Sequence, residues 1–181
     1  ITIEKPLMLR IIDRCRETGT WLRLDECFIA LTDEQDAYTI LPFMSKGDKI
    51  FVLRAFTKLY GMAGVRLGYG VCRQHEILDN MCMLIQPWNV STLAQAAGIA
   101  ALDCVEFVKK TRKIITTERE YLENSLNDLK INFIKPQANY ILLRGRSDWG
   151  DKLLEKGILV RSCKNYNGLD DSDYRIAVRT H

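Results

Sequence analysis

The sequence lacks a strong excess of charge of either sign. Its 26 lysines and arginines stand against 23 aspartates and glutamates, which leaves a formal net charge of +3. That surplus is too small to indicate the basic surface on which nucleic-acid binding depends. The basic run at residues 109–113 is interrupted by Thr111, and such mixed runs are typical of a solvated helix face. We therefore expect no nucleic-acid partner.

Long hydrophobic runs and metal-ligand patterns are missing as well. No stretch approaches the roughly 20 apolar residues of a membrane-spanning helix, and no signal-peptide pattern opens the chain. The six cysteines form no C-x-x-C pair and there are two histidines, which argues against a zinc site. Most of the cysteines sit among apolar neighbours, the usual setting of reduced thiols in an intracellular protein. These absences predict a cytoplasmic protein with no membrane partner and no bound metal.

The sequence also lacks an initiating methionine. It starts at Ile1 and stops at His181, directly after a predicted strand. We therefore expect this sequence to be a piece of a longer protein.

What is present is a chain of ordinary globular composition, 47% hydrophobic and 27% charged. Apolar residues at helical spacing predict a helix over residues 3–18, with Pro6 near its start and Gly19 as its stop. Three short apolar strands are predicted after it, at residues 21–24, 50–54 and 66–72. Strands separated by helices indicate an α/β layer with a largely parallel sheet, whose ligands bind at the carboxyl ends of the strands.

The second half of the chain begins with a helical pattern from Ser91 to about Leu129. Short elements follow it, with strands predicted at residues 140–143, 158–161 and 174–178 and a helix at residues 149–156. This alternation indicates a small αβ domain with a sheet of its own. We place the boundary inside the long helix, which gives one domain at residues 1–104 and a second at residues 105–181.

Two charged residues, Asp25 and Lys58, follow predicted strands directly. Taken alone, each has an ordinary explanation: Lys58 as a solvated turn lysine, and Asp25 as a helix cap or turn residue. Lysine is nevertheless the side chain that forms Schiff bases when part of its amine is uncharged. By themselves, the two residues leave both interpretations open.

The segment AFTKLYGMAGVRLGY at residues 55–69 closely resembles the cofactor-lysine signature of class I and II aminotransferases. These are pyridoxal-phosphate (PLP) enzymes with the aspartate-aminotransferase fold. In that family a hydroxyl residue precedes the lysine that holds PLP as a Schiff base, and an arginine eight residues after the lysine helps to bind the phosphate. The resemblance implies these roles for Thr57, Lys58 and Arg66. Guanidinium and hydroxyl donors suit a phosphate dianion.

The segment LDECF at residues 24–28 resembles the family's D-E-x-Y/F element. The resemblance implies that Asp25 pairs with the pyridinium nitrogen of PLP, which lets the ring act as an electron sink. Phe28 stands where transaminases commonly have a tyrosine bonded to the ring hydroxyl. Ala55 stands where many relatives have a serine bonded to the phosphate. Each departure removes a polar contact of about 1 kcal/mol, which neighbouring groups can offset.

Three downstream segments extend the resemblance to the end of the chain: QPWNVS at residues 86–91, ILVRSC at residues 158–163 and YRIAVRT at residues 174–180. The last two resemble the small-domain strands that supply substrate-binding arginines, which implies that role for Arg161 and Arg175. The family's upstream Gly-rich phosphate-binding turn and its Asn-Pro-x-Asn-Pro-Thr-Gly element are absent from the sequence. The resemblance therefore covers the C-terminal half of a family member.

Within the family, the chain is most similar to threonine-phosphate decarboxylases of cobalamin synthesis and to histidinol-phosphate aminotransferases. Phe28, the Pro87-Trp88 pair and the final RIAVRT segment favour the decarboxylases. The resemblance implies a PLP-dependent homodimer that acts on a phosphorylated amino acid or amine, by decarboxylation or alternatively by transamination. The 181-residue piece alone is expected to be inactive. A non-catalytic relative stays open as an alternative, because Ala55 weakens the phosphate site.

Overall fold

The computed structural model describes residues 2–181. They form two compact units, residues 2–110 and residues 111–181. Each unit contains one sheet and one main hydrophobic cluster. The domain boundary expected at residue 105 stays a prediction.

The first unit opens with helix α1 (Lys5–Thr18). Pro6 lies in its first turn, where the missing N–H would have had no partner, and Gly19 ends it in the left-handed conformation with φ of 63°. Met8 and Ile12 on its inner face join Ile50 in the core of the unit. The predicted helix and its stop are confirmed.

Strand β1 (Leu22–Asp25) and strand β2 (Ile50–Ala55) form a parallel pair, in which Asp25 lies opposite Leu53. The segment between them contains a short helix α2 (Gln35–Tyr38) and two 3-10 turns. Burial is greatest on β2, where Ile50 and Val52 are almost completely shielded from solvent. These two strands match the expected ones closely.

Strand β3 (Gly68–Cys72) pairs with β2 in the antiparallel sense and completes the sheet order β1–β2–β3. The expectation of a largely parallel sheet is met by β1 and β2 but is wrong for β3. A parallel return requires a crossover, usually a full helix. The connection from β2 to β3 holds only the four-residue helix α3 (Phe56–Leu59) and a 3-10 turn, so the chain folds back beside β2.

Three helices follow: α4 (His75–Leu84), α5 (Thr92–Leu102) and α6 (Val105–Asp128). The Ser91 hydroxyl caps α5 by accepting the amide of Ala94. The single helix predicted from Ser91 to Leu129 is wrong at one point. The amides of Asp103 and Cys104 bond to carbonyl oxygens three residues back, a tightening that ends α5 before α6 begins.

The second unit holds an antiparallel sheet in the order β4–β5–β7–β6. Its elements in chain order are β4 (Asn132–Ile134), β5 (Tyr140–Arg144), α7 (Trp149–Glu155), β6 (Arg161–Ser162) and β7 (Asp173–Ala177). Ile141, Leu143 and Tyr174 form the centre of its core. The sequence predicted β5, α7 and β7 well, missed β4, and placed a longer strand where only β6 forms.

Among residues 2–181, no helix combines the length and the apolar character that crossing a bilayer would require. The same residues hold no group of three or more histidine, cysteine or acidic side chains arranged to bind a metal ion.

Candidate active site

The first unit brings Asp25 and Lys58 to one edge of its sheet. Asp25 is the last residue of β1, and Lys58 lies in α3, which begins directly after β2. Because β1 and β2 are parallel, both residues lie beyond the carboxyl ends of the strands, where ligands of α/β sheets bind. Both side chains are exposed.

The charges of Asp25 and Lys58 both affect the pKa of the Cys27 thiol. Burial, a hydrogen bond with Asp25 and the negative charge of Asp25 raise the pKa of the Cys27 thiol to about 11, while the positive charge of Lys58 opposes the increase. Both charges therefore contribute to the electrostatic environment of this thiol. The main chain adds a further contact, since the amide of Cys27 donates to Asp25 Oδ1 at 2.9 Å.

Phe28 supplies an aromatic surface at the same place. Lys58 Nζ lies 5.3 Å from the centroid of the Phe28 ring, a cation–π distance. The ring is half-buried. Phe28 therefore offers a flat apolar face next to the lysine, but no hydroxyl group.

Thr57 and Arg66 flank Lys58 along the chain. Thr57 is half-buried within α3, while Arg66 is exposed and follows the 3-10 turn Ala63–Val65 in the left-handed conformation, with φ of 57°. Arg66 Nη1 donates to the carbonyl oxygen of Ala63 at 3.0 Å. A guanidinium carries five N–H donors, so this single contact leaves most of them for an anion.

Gly68 lies opposite Ala55 at the start of β3. A Cβ atom on Gly68 would lie 3.0 Å from the carbonyl oxygen of Arg54, which is backbone and cannot swing away. The close approach of β3 to the end of β2 therefore favours glycine here. This packing holds the segment between Lys58 and Arg66 as a short, closed loop.

Sequence interpretation missed Glu26, which is buried directly behind Asp25. Its carboxylate accepts hydrogen bonds from the Thr39 hydroxyl at 3.0 Å, from the Ile40 amide at 3.0 Å and from Arg54 Nη2 at 2.8 Å. Arg54 Nε also donates to Glu26 at 3.1 Å, so two nitrogen atoms of the guanidinium contact this carboxylate. The available signal was an acidic residue after Asp25 together with an arginine four residues before Lys58.

The second unit brings the other two predicted residues together. Arg161 on β6 lies directly opposite Arg175 on β7. The guanidinium carbon of Arg175 lies 5.1 Å from the centroid of the Tyr140 ring. Two like charges directly opposite each other on neighbouring strands repel, and an anion bound by both relieves that repulsion.

The residues of the first unit fit PLP. The Asp25 carboxylate suits a basic ring nitrogen, the Lys58 amine suits an aldehyde, the Phe28 ring suits an aromatic face, and Arg66 suits a phosphate. Asp25 and Lys58 both lie at the carboxyl ends of the parallel strands β1 and β2, where a single small molecule can contact them. Ala55 and Phe28 contribute no hydroxyl donor to this set.

The chain is similar to curated proteins with two different names. The chain is 36% identical over 181 residues to the threonine-phosphate decarboxylase of Salmonella typhimurium, covering 98% of this chain and 49% of the relative. It is 35% identical over 181 residues to a histidinol-phosphate aminotransferase of Methanosphaera stadtmanae, covering 96% of this chain and 47% of the relative. It therefore spans about half the length of the curated relatives that it matches.

A solved structure shows the same fold. The histidinol-phosphate aminotransferase from Clostridium acetobutylicum matches 99% of this chain with a TM-score of 0.88 at 31% identity, and the match covers 55% of that structure. The predicted α/β fold class is thereby confirmed. The model of the family described as aminotransferase class I and II matches residues 2–181. The chain therefore belongs to the PLP-dependent class I and II aminotransferase family.

Proposed function

We propose that the protein is a PLP-dependent enzyme that decarboxylates a phosphorylated amino acid, as threonine-phosphate decarboxylases do. The observation that carries this proposal is the position of Asp25 and Lys58, which both lie at the carboxyl edge of the parallel strands β1 and β2. A carboxylate and an amine at such an edge provide the two groups that PLP requires from the protein. The names of the relatives support a phosphorylated substrate.

The first unit supplies the groups that hold the cofactor. Lys58 is proposed to bond to its aldehyde carbon, and Asp25 to keep a proton on its ring nitrogen. Arg66 and Thr57 are proposed to donate hydrogen bonds to its phosphate, and Phe28 to pack against its ring. When bound, PLP supplies an electron sink that stabilises negative charge at the substrate Cα.

The second unit is proposed to supply the groups that recognise the substrate. Arg161 and Arg175 lie opposite each other on β6 and β7, so they can share one anionic group or hold two neighbouring ones. The Tyr140 ring beside Arg175 stacks with its guanidinium and limits the positions that this cation can adopt. A phosphorylated amino acid offers two anionic groups, a phosphate and a carboxylate.

Transamination, as in histidinol-phosphate aminotransferases, is the second candidate, because a relative with that name is nearly as similar as the decarboxylase. The two reactions differ in the bond that breaks at Cα. If the carboxylate is held in the direction that favours electron withdrawal, carbon dioxide leaves. If the Cα–H bond is held there instead, the proton would pass to the Lys58 amine, which becomes free when the substrate amine replaces it on the cofactor. Phe28, which has no hydroxyl group to offer the cofactor, favours decarboxylation in this proposal.

Membership of the family also suggests an oligomeric state, a cellular location and a class of substrate. We propose a homodimer in the cytoplasm that acts on a small phosphorylated substrate, since class I and II aminotransferases are typically dimeric. The 181-residue chain alone is proposed to be inactive, because it spans about half of its relatives.

Covalent trapping tests the assignment of Lys58. Incubation with PLP followed by borohydride reduction should fix the cofactor to the peptide that contains Lys58, as detected by mass spectrometry. Lys58→Ala should abolish this adduct. Lys46→Ala serves as the matched control, since Lys46 is an exposed lysine of the same unit.

An unchanged adduct in the Lys58→Ala variant would overturn the assignment. The active enzyme then distinguishes the two reactions. Release of carbon dioxide from threonine phosphate supports decarboxylation, whereas amino transfer from histidinol phosphate to a 2-oxo acid without such release supports the second candidate.

A further inference from the structure

We propose that the buried Glu26–Arg54–Thr39 cluster is a positioning device that holds Asp25 and Lys58 in the geometry their reaction needs. The inference rests on the proposed function, because it assigns these residues to the same site. None of the three touches the cofactor in this proposal. They act through the two strand ends that carry Asp25 and Lys58.

The cluster joins three separate segments of the first unit. Glu26 follows β1, Arg54 lies on β2, and Thr39 comes from the segment after α2. Arg54 Nη2 donates to Glu26 Oε2 and to the Thr39 hydroxyl, both at 2.8 Å, and the Thr39 hydroxyl donates to Glu26 in turn. Each member therefore bonds to the other two. Three mutual hydrogen bonds hold these side chains in place more firmly than a single ion pair would.

Burial makes the cluster costly to disturb. The side chain of Glu26 is 7% exposed and that of Arg54 is 15% exposed. A carboxylate taken out of water requires hydrogen bonds on both oxygens, and Glu26 has them: Oε1 accepts the Ile40 amide, while Oε2 accepts Arg54. Rotating Glu26 outward would leave Arg54 buried without its anion. The residue is therefore held in one orientation.

The orientation of Glu26 determines that of Asp25. Side chains of successive residues along a strand point to opposite faces, so a carboxylate anchored inward at position 26 directs its predecessor outward. The observed pattern agrees, because Asp25 is exposed while Glu26 is buried. The amide of Glu26 also donates to the carbonyl oxygen of Leu53 at 2.9 Å, which continues the pairing of β1 with β2 past Asp25.

Arg54 transmits the same constraint to Lys58. Arg54 lies one residue before the end of β2, and α3 with Lys58 begins two residues after Arg54. The ion pair between Arg54 and Glu26 therefore fixes where β2 ends relative to the end of β1. The relative position of the two strand ends in turn sets the distance between the Asp25 carboxylate and the Lys58 amine.

Cys27 provides a reporter that needs no cofactor. The charged side chains that act on its thiol are Asp25 and Lys58. A substitution in the cluster that moves Asp25 or Lys58 should therefore change the reactivity of Cys27. Asp25 raises the pKa of the thiol, so a variant in which Asp25 turns away should react faster with an alkylating reagent.

The test compares Glu26→Gln with Asp48→Asn. Both substitutions remove the charge of a buried carboxylate bonded by an arginine, but Asp48 pairs with Arg16, a residue of α1. Without cofactor, the rate of Cys27 alkylation by iodoacetamide at pH 8.5 is followed by peptide mass spectrometry. With PLP, its dissociation constant is measured by absorbance, and urea unfolding reports the stability of each variant.

We expect Glu26→Gln to speed Cys27 alkylation by about three- to tenfold, the change that corresponds to one pKa unit. We also expect it to weaken PLP binding by about tenfold or more. Asp25→Asn, which removes the same charge directly, should speed alkylation as well. Asp48→Asn should lower the urea midpoint and leave both other readouts unchanged.

A Glu26→Gln variant that matches Asp48→Asn in all three readouts would overturn the positioning role. If Glu26→Gln speeds alkylation but the unsubstituted protein itself binds no PLP, the positioning role is retained and the proposed function is rejected. Arg54→Lys keeps the positive charge but loses the two-pronged contact, so it serves if Glu26→Gln does not fold. Unchanged alkylation and PLP binding in that variant would equally overturn the proposal.

Discussion

At the scale of single residues, Phe28 and Ala55 are the departures that matter most. Phe28 places an aromatic ring without a hydroxyl group beside Lys58, with the ring centroid 5.3 Å from the Lys58 amine. Ala55 ends β2 and leaves Thr57 and Arg66 as the side-chain donors proposed for the phosphate. Each change costs about 1 kcal/mol of polar contact. Losses of that size weaken a cofactor site without abolishing it.

Asp25→Asn tests the chemical role of the neighbouring acid. An amide cannot hold a proton on the cofactor ring nitrogen as a carboxylate can, so stabilisation of negative charge at Cα should be lost. We expect turnover in the active enzyme to fall by about a hundredfold or more, with the Lys58 adduct and the fold retained. Steady-state kinetics and borohydride trapping check this result. Near-normal turnover would show that Asp25 has a structural role instead.

At the scale of elements, an ion pair fastens α1 to the segment that leads into β2. Arg16 lies in the last turn of α1, and its Nε and Nη2 atoms donate to the two carboxylate oxygens of Asp48 at 2.7 and 2.8 Å. Asp48 also accepts the amide of Ser45 at 2.7 Å. The Arg16 guanidinium and this amide hold the pKa of Asp48 below its ordinary value. The pair thus stabilises the ionised carboxylate.

Asp48→Asn should lower the free energy of unfolding at neutral pH by about 2 kcal/mol, the usual worth of hydrogen bonds to a charged group. Because the folded pKa of Asp48 is depressed, its contribution is complete above about pH 4, the ordinary range of an unfolded aspartate. The contribution declines as the pH falls through the lower folded value. Urea titrations of both proteins between pH 7 and pH 3 should therefore converge at acidic pH. A difference that grows as the pH falls would contradict this account.

At the scale of the whole molecule, the first unit exposes much apolar surface along α4, α5 and their connection. Leu84 is 85% exposed, Trp88 is 95% exposed and Leu93 is 82% exposed. Several large apolar side chains exposed near one another are typical of a surface that binds another protein molecule. The edge of β1 adds main-chain groups that can pair with another strand.

We expect residues 1–181, expressed alone, to self-associate at micromolar concentration and to turn over neither threonine phosphate nor histidinol phosphate. Light scattering after size exclusion measures the association, and assays with added PLP measure turnover. Replacing Leu84 and Leu93 together by glutamate should reduce the apparent mass. Asn80→Glu, at an exposed polar position on α4, is the control and should have little effect. A monomer that converts either substrate would contradict both expectations.

Much of the site could be inferred from local sequence. One short segment of the chain contains Thr57, Lys58 and Arg66. Because they lie in the same loop between β2 and β3, a local motif is enough to predict them together. Pro6 and Gly19 limited α1 because their backbone preferences act within one or two residues. The fully buried Ile50 and Val52 likewise follow from an apolar strand pattern.

Tertiary structure decided what depends on contacts between distant residues. The antiparallel direction of β3, the break at Asp103 and the facing of Arg161 with Arg175 are not encoded in any one segment. Glu26 and Arg54 are 28 residues apart in the sequence, and neither local sequence indicates that the two side chains form an ion pair. Such pairs form only when strand pairing brings two segments together, because hydrogen bonds act over about 3 Å whatever the separation in sequence.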